Sequence, residues 1–155
     1  MSQLFLRSRR GAMAAFLVSV GLLVSGIWTD HAGAEAAKEP QKEMLALTNE
    51  ARTEQGVQDL DLNAMLSRYA TKHSRAMADK GNLFHTVDLA GKLKGLDWSM
   101  GGENVGVGSS LGEVQSAFMA SKPHRRNILQ RGYDHAAIGV AESDGKLWVT
   151  VIFYG

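Results

Sequence analysis

Lys146-Leu147-Trp148-Val149-Thr150-Val151-Ile152-Phe153-Tyr154 closes the chain and decides how it folds. Side chains alternate across a strand, so Leu147, Val149, Val151 and Phe153 share one face, and Trp148, Thr150, Ile152 and Tyr154 share the other. The first set is apolar and the second nearly as apolar, and a strand apolar on both faces is covered on both faces. Immediately upstream, Ala137 to Glu142 reads as a second strand. Ser143-Asp144-Gly145 joins the two, with Asp-Gly marking a tight hairpin. The segments before this hairpin read as helices, so the expected architecture is α+β: a three-layer α-β-α sandwich with an antiparallel C-terminal hairpin in its central sheet.

Working outward, the helical periods are clear. Met44, Leu45, Leu47, Thr48 and Ala51 recur at helical spacing from Gln41 onward, and Gly56 stops the run. Leu62, Met65, Leu66, Tyr69, Ala70, His73, Ala76 and Met77 form one stripe ending at Gly81, with Asp61 as the expected cap. Asn82 to Gly102 is punctuated by Gly81, Gly91, Gly95, Gly101 and Gly102 and reads as irregular. Ser109 or Ser110 caps a third helix with a stripe of Leu111, Val114, Ala117, Phe118 and Ser121. Pro123 opens a short fourth helix running to about Leu129.

The first 34 residues read as an export signal. Arg7, Arg9 and Arg10 precede an uncharged, mostly apolar run from Gly11 to Trp28, and Ala32-Gly33-Ala34 supplies a small-x-small cleavage site. The run approaches a membrane span of about 20 residues, so the alternative is an uncleaved anchor through residues 11–28. The expectation is a protein secreted or held at the cell surface, with residues 35–43 as linker and residues 44–155 as one domain, long enough to bury a sizeable core.

Removing Arg7, Arg9, Arg10 and Asp30 takes the formal charge from +1 to −1, which gives no bulk attraction for nucleic acid or anionic lipid. Membrane contact is expected only through an uncleaved N-terminal segment. The chain has no cysteine, which excludes disulfides, thiolate nucleophiles and thiolate metal ligands.

His85 in Phe84-His85-Thr86, Glu103 in Gly102-Glu103-Asn104-Val105-Gly106, and His124 in Pro123-His124-Arg125 are the candidate site residues. Two imidazoles and a carboxylate are metal or acid–base groups. His85 and His124 are the expected metal ligands. Glu103 serves as a third ligand or as the acceptor that orients a ring N–H, and zinc suits an all N/O set. The competing reading is a hydrogen-bonded network in which Glu103 and Asn104 satisfy backbone groups and position loops. His73 reads as a core histidine, His135 as a loop residue, and His31 falls in the leader. No nucleophile elbow surrounds Ser121, which reads as a helix end or cap rather than a nucleophile. Arg125 and Arg126 read as solvated, or paired with an acid such as Asp134.

These segments together resemble the CAP superfamily, the cysteine-rich secretory, antigen 5 and pathogenesis-related proteins, also called SCP-like, and most closely its cysteine-free bacterial branch. The resemblance runs from Met44 to Phe153. It rests on Leu47-Thr48-Asn49-Glu50-Ala51-Arg52, His85-Thr86, Gly102-Glu103-Asn104-Val105, Phe118-Met119 with Ser121, His124-Arg125 with Asn127-Ile128-Leu129, and the two closing strands, all in order. It implies the same three-layer sandwich and a cleft lined by two histidines and two acids. His85, Glu103 and His124 match three of the four. Ser121 stands where the second acid is expected, and Glu113, two helical turns earlier, lies about 12 Å away at 1.5 Å per residue and is no replacement. The incomplete acidic set favours an extracellular binding module over an enzyme. Its ligand would be a lipid, a cell-wall component or a protein, with Asn104 and Ser121 supporting the cleft. The alternative is a zinc-dependent peptidase or esterase using the same residues.

Overall fold

A computed structural model describes residues 39–155; the expected export signal and cleavage site lie outside the described residues. The elements are α1 (Glu39–Glu54), β1 (Asp61–Leu62), α2 (Ala64–Lys80), α3 (Leu89–Leu93), β2 (Gly101–Gly108), α4 (Leu111–Ala120), α5 (Lys122–Ile128), β3 (His135–Ser143) and β4 (Lys146–Tyr154). The four strands form one sheet in the order β1-β3-β4-β2, with β1 parallel to β3 and the other pairs antiparallel. Helices cover both faces, giving the three-layer α-β-α sandwich expected from the parity of the last strand.

That parity is realised residue by residue. Val149, Val151 and Phe153 pack with Met44 and Ala51 of α1, Leu111, Val114 and Phe118 of α4, and Ile128 of α5. Ile152 and Tyr154 pack on the opposite face with Leu66 and Ala70 of α2 and Leu93 of α3, while Trp148 joins Met77 and Val105. Each fully buried Val, Ile or Phe contributes about 1.5–3 kcal/mol. A two-residue turn joins the hairpin: Ser143 pairs with Lys146, and Asp144 and Gly145 both have positive φ, at 52° and 68°. This is the turn geometry whose twist matches paired strands.

The helix ends follow their local chemistry. Asn63, not Asp61, caps α2, its side-chain oxygen accepting from the Leu66 N–H at 2.9 Å. Asp61 and Leu62 are instead drawn into β1, pairing with His135 and Ala136. His135, expected in a loop, therefore begins β3 and stacks on Tyr154 at 4.9 Å between ring centroids. Gly81 ends α2 in the left-handed region (φ 59°), where glycine costs least. Met65, placed in the apolar stripe by spacing, is 78% exposed, while Ser67 and Ser74 are buried where α2 meets the sheet. Their hydroxyls bond to backbone: Ser67 accepts from the Ile138 N–H at 3.0 Å, and Ser74 donates to the Gly139 carbonyl at 3.1 Å. A Cβ on Gly139 would lie 2.0 Å from the Ala70 carbonyl carbon, so glycine lets α2 lie directly against β3.

Two further readings change. The irregular stretch 82–102 contains the short helix α3, and its last two residues begin an eight-residue strand, β2. The glycines there serve close packing: a Cβ on Gly106 would lie 2.8 Å from the Phe118 ring. The first helix begins at Glu39, so residues 39–43 of the expected linker are helical.

Arg52 is completely buried and ties the second half of the chain to α1. Its guanidinium donates to the carbonyls of Gln58 (2.7 Å), Ile128 (2.7 Å), Gln130 (3.0 Å) and Tyr133 (2.9 Å). Burial lowers its pKa from the usual arginine range, with Asp59 partly opposing the shift. Ile128 is the last residue of α5, where unpaired carbonyls and the helix dipole favour a cation, and Gln130 follows two residues later.

Candidate functional site

β2 carries Glu103 and Asn104 on opposite faces at the edge of the sheet, and each holds a different neighbour. The Glu103 side chain is almost fully buried, and its Oε1 is the acceptor for two groups of the preceding loop: the Thr86 N–H at 2.9 Å and Nδ1 of His85 at 2.8 Å. In the neutral ring, a carboxylate accepting at Nδ1 places the proton there and leaves Nε2 of His85 with its lone pair. The His85 side chain is 63% exposed, so that nitrogen belongs to a ring open to solvent but fixed at its base. Oε2 of Glu103 is buried and meets no protein donor among the described residues.

On the other face, Nδ2 of Asn104 donates to the His124 carbonyl at 3.0 Å, and Nδ2 of Asn127 donates to Oδ1 of Asn104 at 2.9 Å and to the Glu103 carbonyl at 3.2 Å. α5 is thereby pinned to β2 at two places, one of them the backbone of His124 itself. The His124 ring lies against Phe118, 5.0 Å between centroids. Its pKa is lowered from the usual histidine value, first by burial and then by the charge of His85. The two imidazoles thus stand near enough to repel one another when protonated. Sequence reasoning named Glu103 and Asn104 as backbone-satisfying groups, and both act so. It did not single out Asn127 as part of the network. The order Asn104 then His124-x-x-Asn127 carried that signal, since residues three apart on a helix share a face.

Ser121 sits at the junction of α4 and α5, and its side chain makes no capping bond there. Glu113 is turned to the start of α4, its Oε2 accepting from the Ser109 N–H (2.7 Å) and hydroxyl (2.6 Å), which lowers its pKa; Ser110 is the cap. Asp134 partners His135 at 2.5 Å rather than Arg125 or Arg126. His73 is buried between Tyr69 and Phe84 with Nδ1 3.1 Å from the Thr150 hydroxyl, a core histidine.

A cavity of about 240 Å³ opens beside this cluster, lined by Leu83, Val105, Val107, Phe118, Ser121 and His124 among others. Among the described residues, no three His, Asp or Glu side chains are grouped to hold a metal ion. Glu103 is committed at Oε1 to His85 and Thr86, so its part toward a metal would be to orient His85, and the candidate ligands are the two imidazoles. Two nitrogens with open positions suit a weakly held divalent ion completed by water, not a closed structural zinc site.

Residues 45–153 match the family described as CAP: Cysteine-rich secretory protein family. The protein YkwD of Bacillus subtilis (strain 168) is 34% identical over 115 residues, covering 70% of this chain and 44% of YkwD. An extracellular protein containing an SCP domain from Bacillus anthracis superposes with a TM-score of 0.66 at 21% identity, covering 84% of this chain and 45% of that one. An outer surface protein from Borrelia burgdorferi gives a TM-score of 0.64 at 19% identity, covering 76% of this chain and 93% of that one. The chain spans less than half the length of the curated relatives it matches. Among the described residues no helix is long and apolar enough to cross a membrane. With the profile matched along 45–153, the sandwich superposing on SCP structures and no cysteine in the sequence, the chain belongs to the CAP family, in its cysteine-free bacterial branch.

Proposed function

We propose that this CAP-domain protein acts outside the cytoplasm as a binding module, and that its His85–Glu103–His124 cleft takes a divalent metal ion, zinc by preference, or a small ligand in its place. The observation that carries the reading is the bond from His85 Nδ1 to Glu103 Oε1, shared with the Thr86 amide. A carboxylate–imidazole pair is the arrangement that presents Nε2 to a metal in a set orientation and raises its basicity. His124 supports the same reading, because its lowered pKa keeps the ring neutral near pH 7. When bound, zinc would supply a Lewis-acidic centre with exchangeable positions for a ligand atom. The protein's own contribution is positional: Glu103 fixes His85, Asn104 and Asn127 fix the backbone from which His124 projects, and Phe118 shields its ring.

Binding is favoured over hydrolysis. By the family resemblance Ser121 stands where a second acid is expected, and a bound water acting as nucleophile would draw on a fuller ligand set than two histidines. Extracellular action is supported by the basic and apolar N-terminal segment with its Ala32-Gly33-Ala34 site, and by the extracellular and outer-surface origins of the two structural neighbours. A calorimetric zinc titration of the metal-stripped protein and of a His85→Ala, His124→Ala double variant tests the proposal. It predicts one saturable site in the first and none in the second. Equal binding in both, or none in either, would leave the cluster a structural network.

A further inference from the structure

The backbone of β2 has a free side whose direction can be worked out from the ladder. Met100 and Gly155 exchange both backbone bonds, Met100 N–H to Gly155 at 3.0 Å and Gly155 N–H to Met100 at 3.2 Å. The β2–β4 register continues from there without a bulge, through Gly102 with Phe153, Asn104 with Val151 and Gly106 with Val149. In an antiparallel ladder such two-bond pairs recur at every second residue. The even positions of β2 therefore direct N–H and C=O to β4, and Glu103, Val105 and Val107 direct theirs to the outer edge. The Glu103 carbonyl bears this out, since it accepts from Asn127, a residue of α5 outside the sheet. Beyond it, no group among the described residues bonds to the outward N–H or C=O of Val105 or Val107.

We propose that this edge, from Val105 to Val107, is a strand-addition site for an extended segment of another polypeptide. Two residues of strand advance by about 6.8 Å, so the outward groups of Val105 and Val107 repeat at the spacing of alternate amides in an extended chain. A lipid or a sugar has no such repeat of paired donors and acceptors. The adjoining cavity, about 240 Å³ between Leu83 and the Val114–Phe118 face of α4, is smaller than the roughly 300–1,000 Å³ typical of small-molecule pockets. It suits one apolar side chain of such a segment. The edge is also recessed: Val105 is 6% exposed, with Val107 at 37% and Leu83 at 39% at the mouth. A single extended strand is the occupant this recess suits, and a second folded copy is the alternative that sedimentation tests. His124 lines the same cavity, so a bound segment would pass the metal cleft, but the edge itself needs no metal.

The test is selection of phage-displayed random heptapeptides on the metal-stripped full-length protein, followed by N-methyl scanning of an enriched peptide. Metal-free conditions keep this result separate from the zinc titration. The expected outcome is a peptide with apolar residues at alternate positions whose affinity falls roughly tenfold on methylation of alternate amides and is unchanged at the amides between, because each lost N–H strands a carbonyl. Val107→Pro, which deletes an N–H facing away from β4, should cause the same fall, and Val107→Thr should not. Failure to enrich any sequence, an N-methyl pattern without the two-residue period, or a folded Val107→Pro protein that binds normally would overturn the proposal. So would sedimentation showing the edge consumed by a second copy. If Val107→Pro does not fold, the N-methyl scan on the unaltered protein decides alone.

Discussion

Oε1 of Glu103 stands 2.8 Å from Nδ1 of His85 and 2.9 Å from the Thr86 N–H, so one buried oxygen fixes both the ring and the loop that carries it. Glu103→Gln keeps the shape and removes the charge. The loop amide can still be accepted, but the preference for a proton on His85 Nδ1 weakens. Zinc affinity should fall about 10–100-fold, as is usual when such an orienting partner is lost, while the circular dichroism spectrum stays the same. Unchanged affinity would remove Glu103 from the account of the cleft.

Arg52 spans 76 residues of sequence to reach the carbonyl of Ile128, and through it the helix that carries His124 and Asn127. Arg52→Met leaves the carbonyls of Gln58, Ile128 and Tyr133 without their side-chain donor, while that of Gln130 keeps the Tyr133 N–H. The expected loss of stability is about 3–5 kcal/mol, measured by urea unfolding, and Arg52→Lys should recover only part of it because an ammonium cannot span the same carbonyls. A loss below about 1 kcal/mol would show that these bonds are replaceable by solvent.

Gly139 has no room for a methyl group: its Cβ would meet backbone atoms of Ala70 and Thr71 at 2.0–2.3 Å. Gly139→Ala should therefore cost about 3 kcal/mol or more by forcing α2 off the sheet. A thermal melt matching the parent protein would mean that α2 can shift without loss.

His124 titrates below its unfolded value of about 6.5, chiefly because burial disfavours the charged ring and secondarily because of His85. Below about pH 6.5 the unfolded chain then takes up a proton that the folded protein resists, so stability falls as the pH drops from there toward the folded pKa, and is regained on raising it. In His124→Gln this part of the decline should disappear from urea midpoints measured between about pH 7 and pH 5. A decline of the same size in the variant would assign it to other groups.

Much of this was legible in the chain itself, for reasons that differ by element. The two apolar faces of residues 146–154 forced a covered sheet, and Asp144-Gly145, Ser110, Pro123 and Gly81 placed turns and helix ends because each has a local backbone preference. β2 was hidden because its glycines, which allow close approach to α4, also weaken every strand signal. β1 was hidden because two residues carry no period, and its pairing with β3 moved both the α2 cap and His135. The candidate ligands were visible as residue types, and Asn104 and Glu103 as backbone partners. Arg52 was quoted only as one residue of the resemblance and read as nothing more, since a charged residue in a helix usually faces water.

The most direct test of the cleft is the ¹⁵N imidazole spectrum of His85 and His124 through a zinc titration of the metal-free protein. The account predicts that His85 begins with its proton on Nδ1, and that Nε2 of His85 and a ring nitrogen of His124 shift together, complete at one equivalent of zinc. A His85 ring protonated on Nε2 at the outset, or zinc-dependent shifts confined to other histidines, would contradict it.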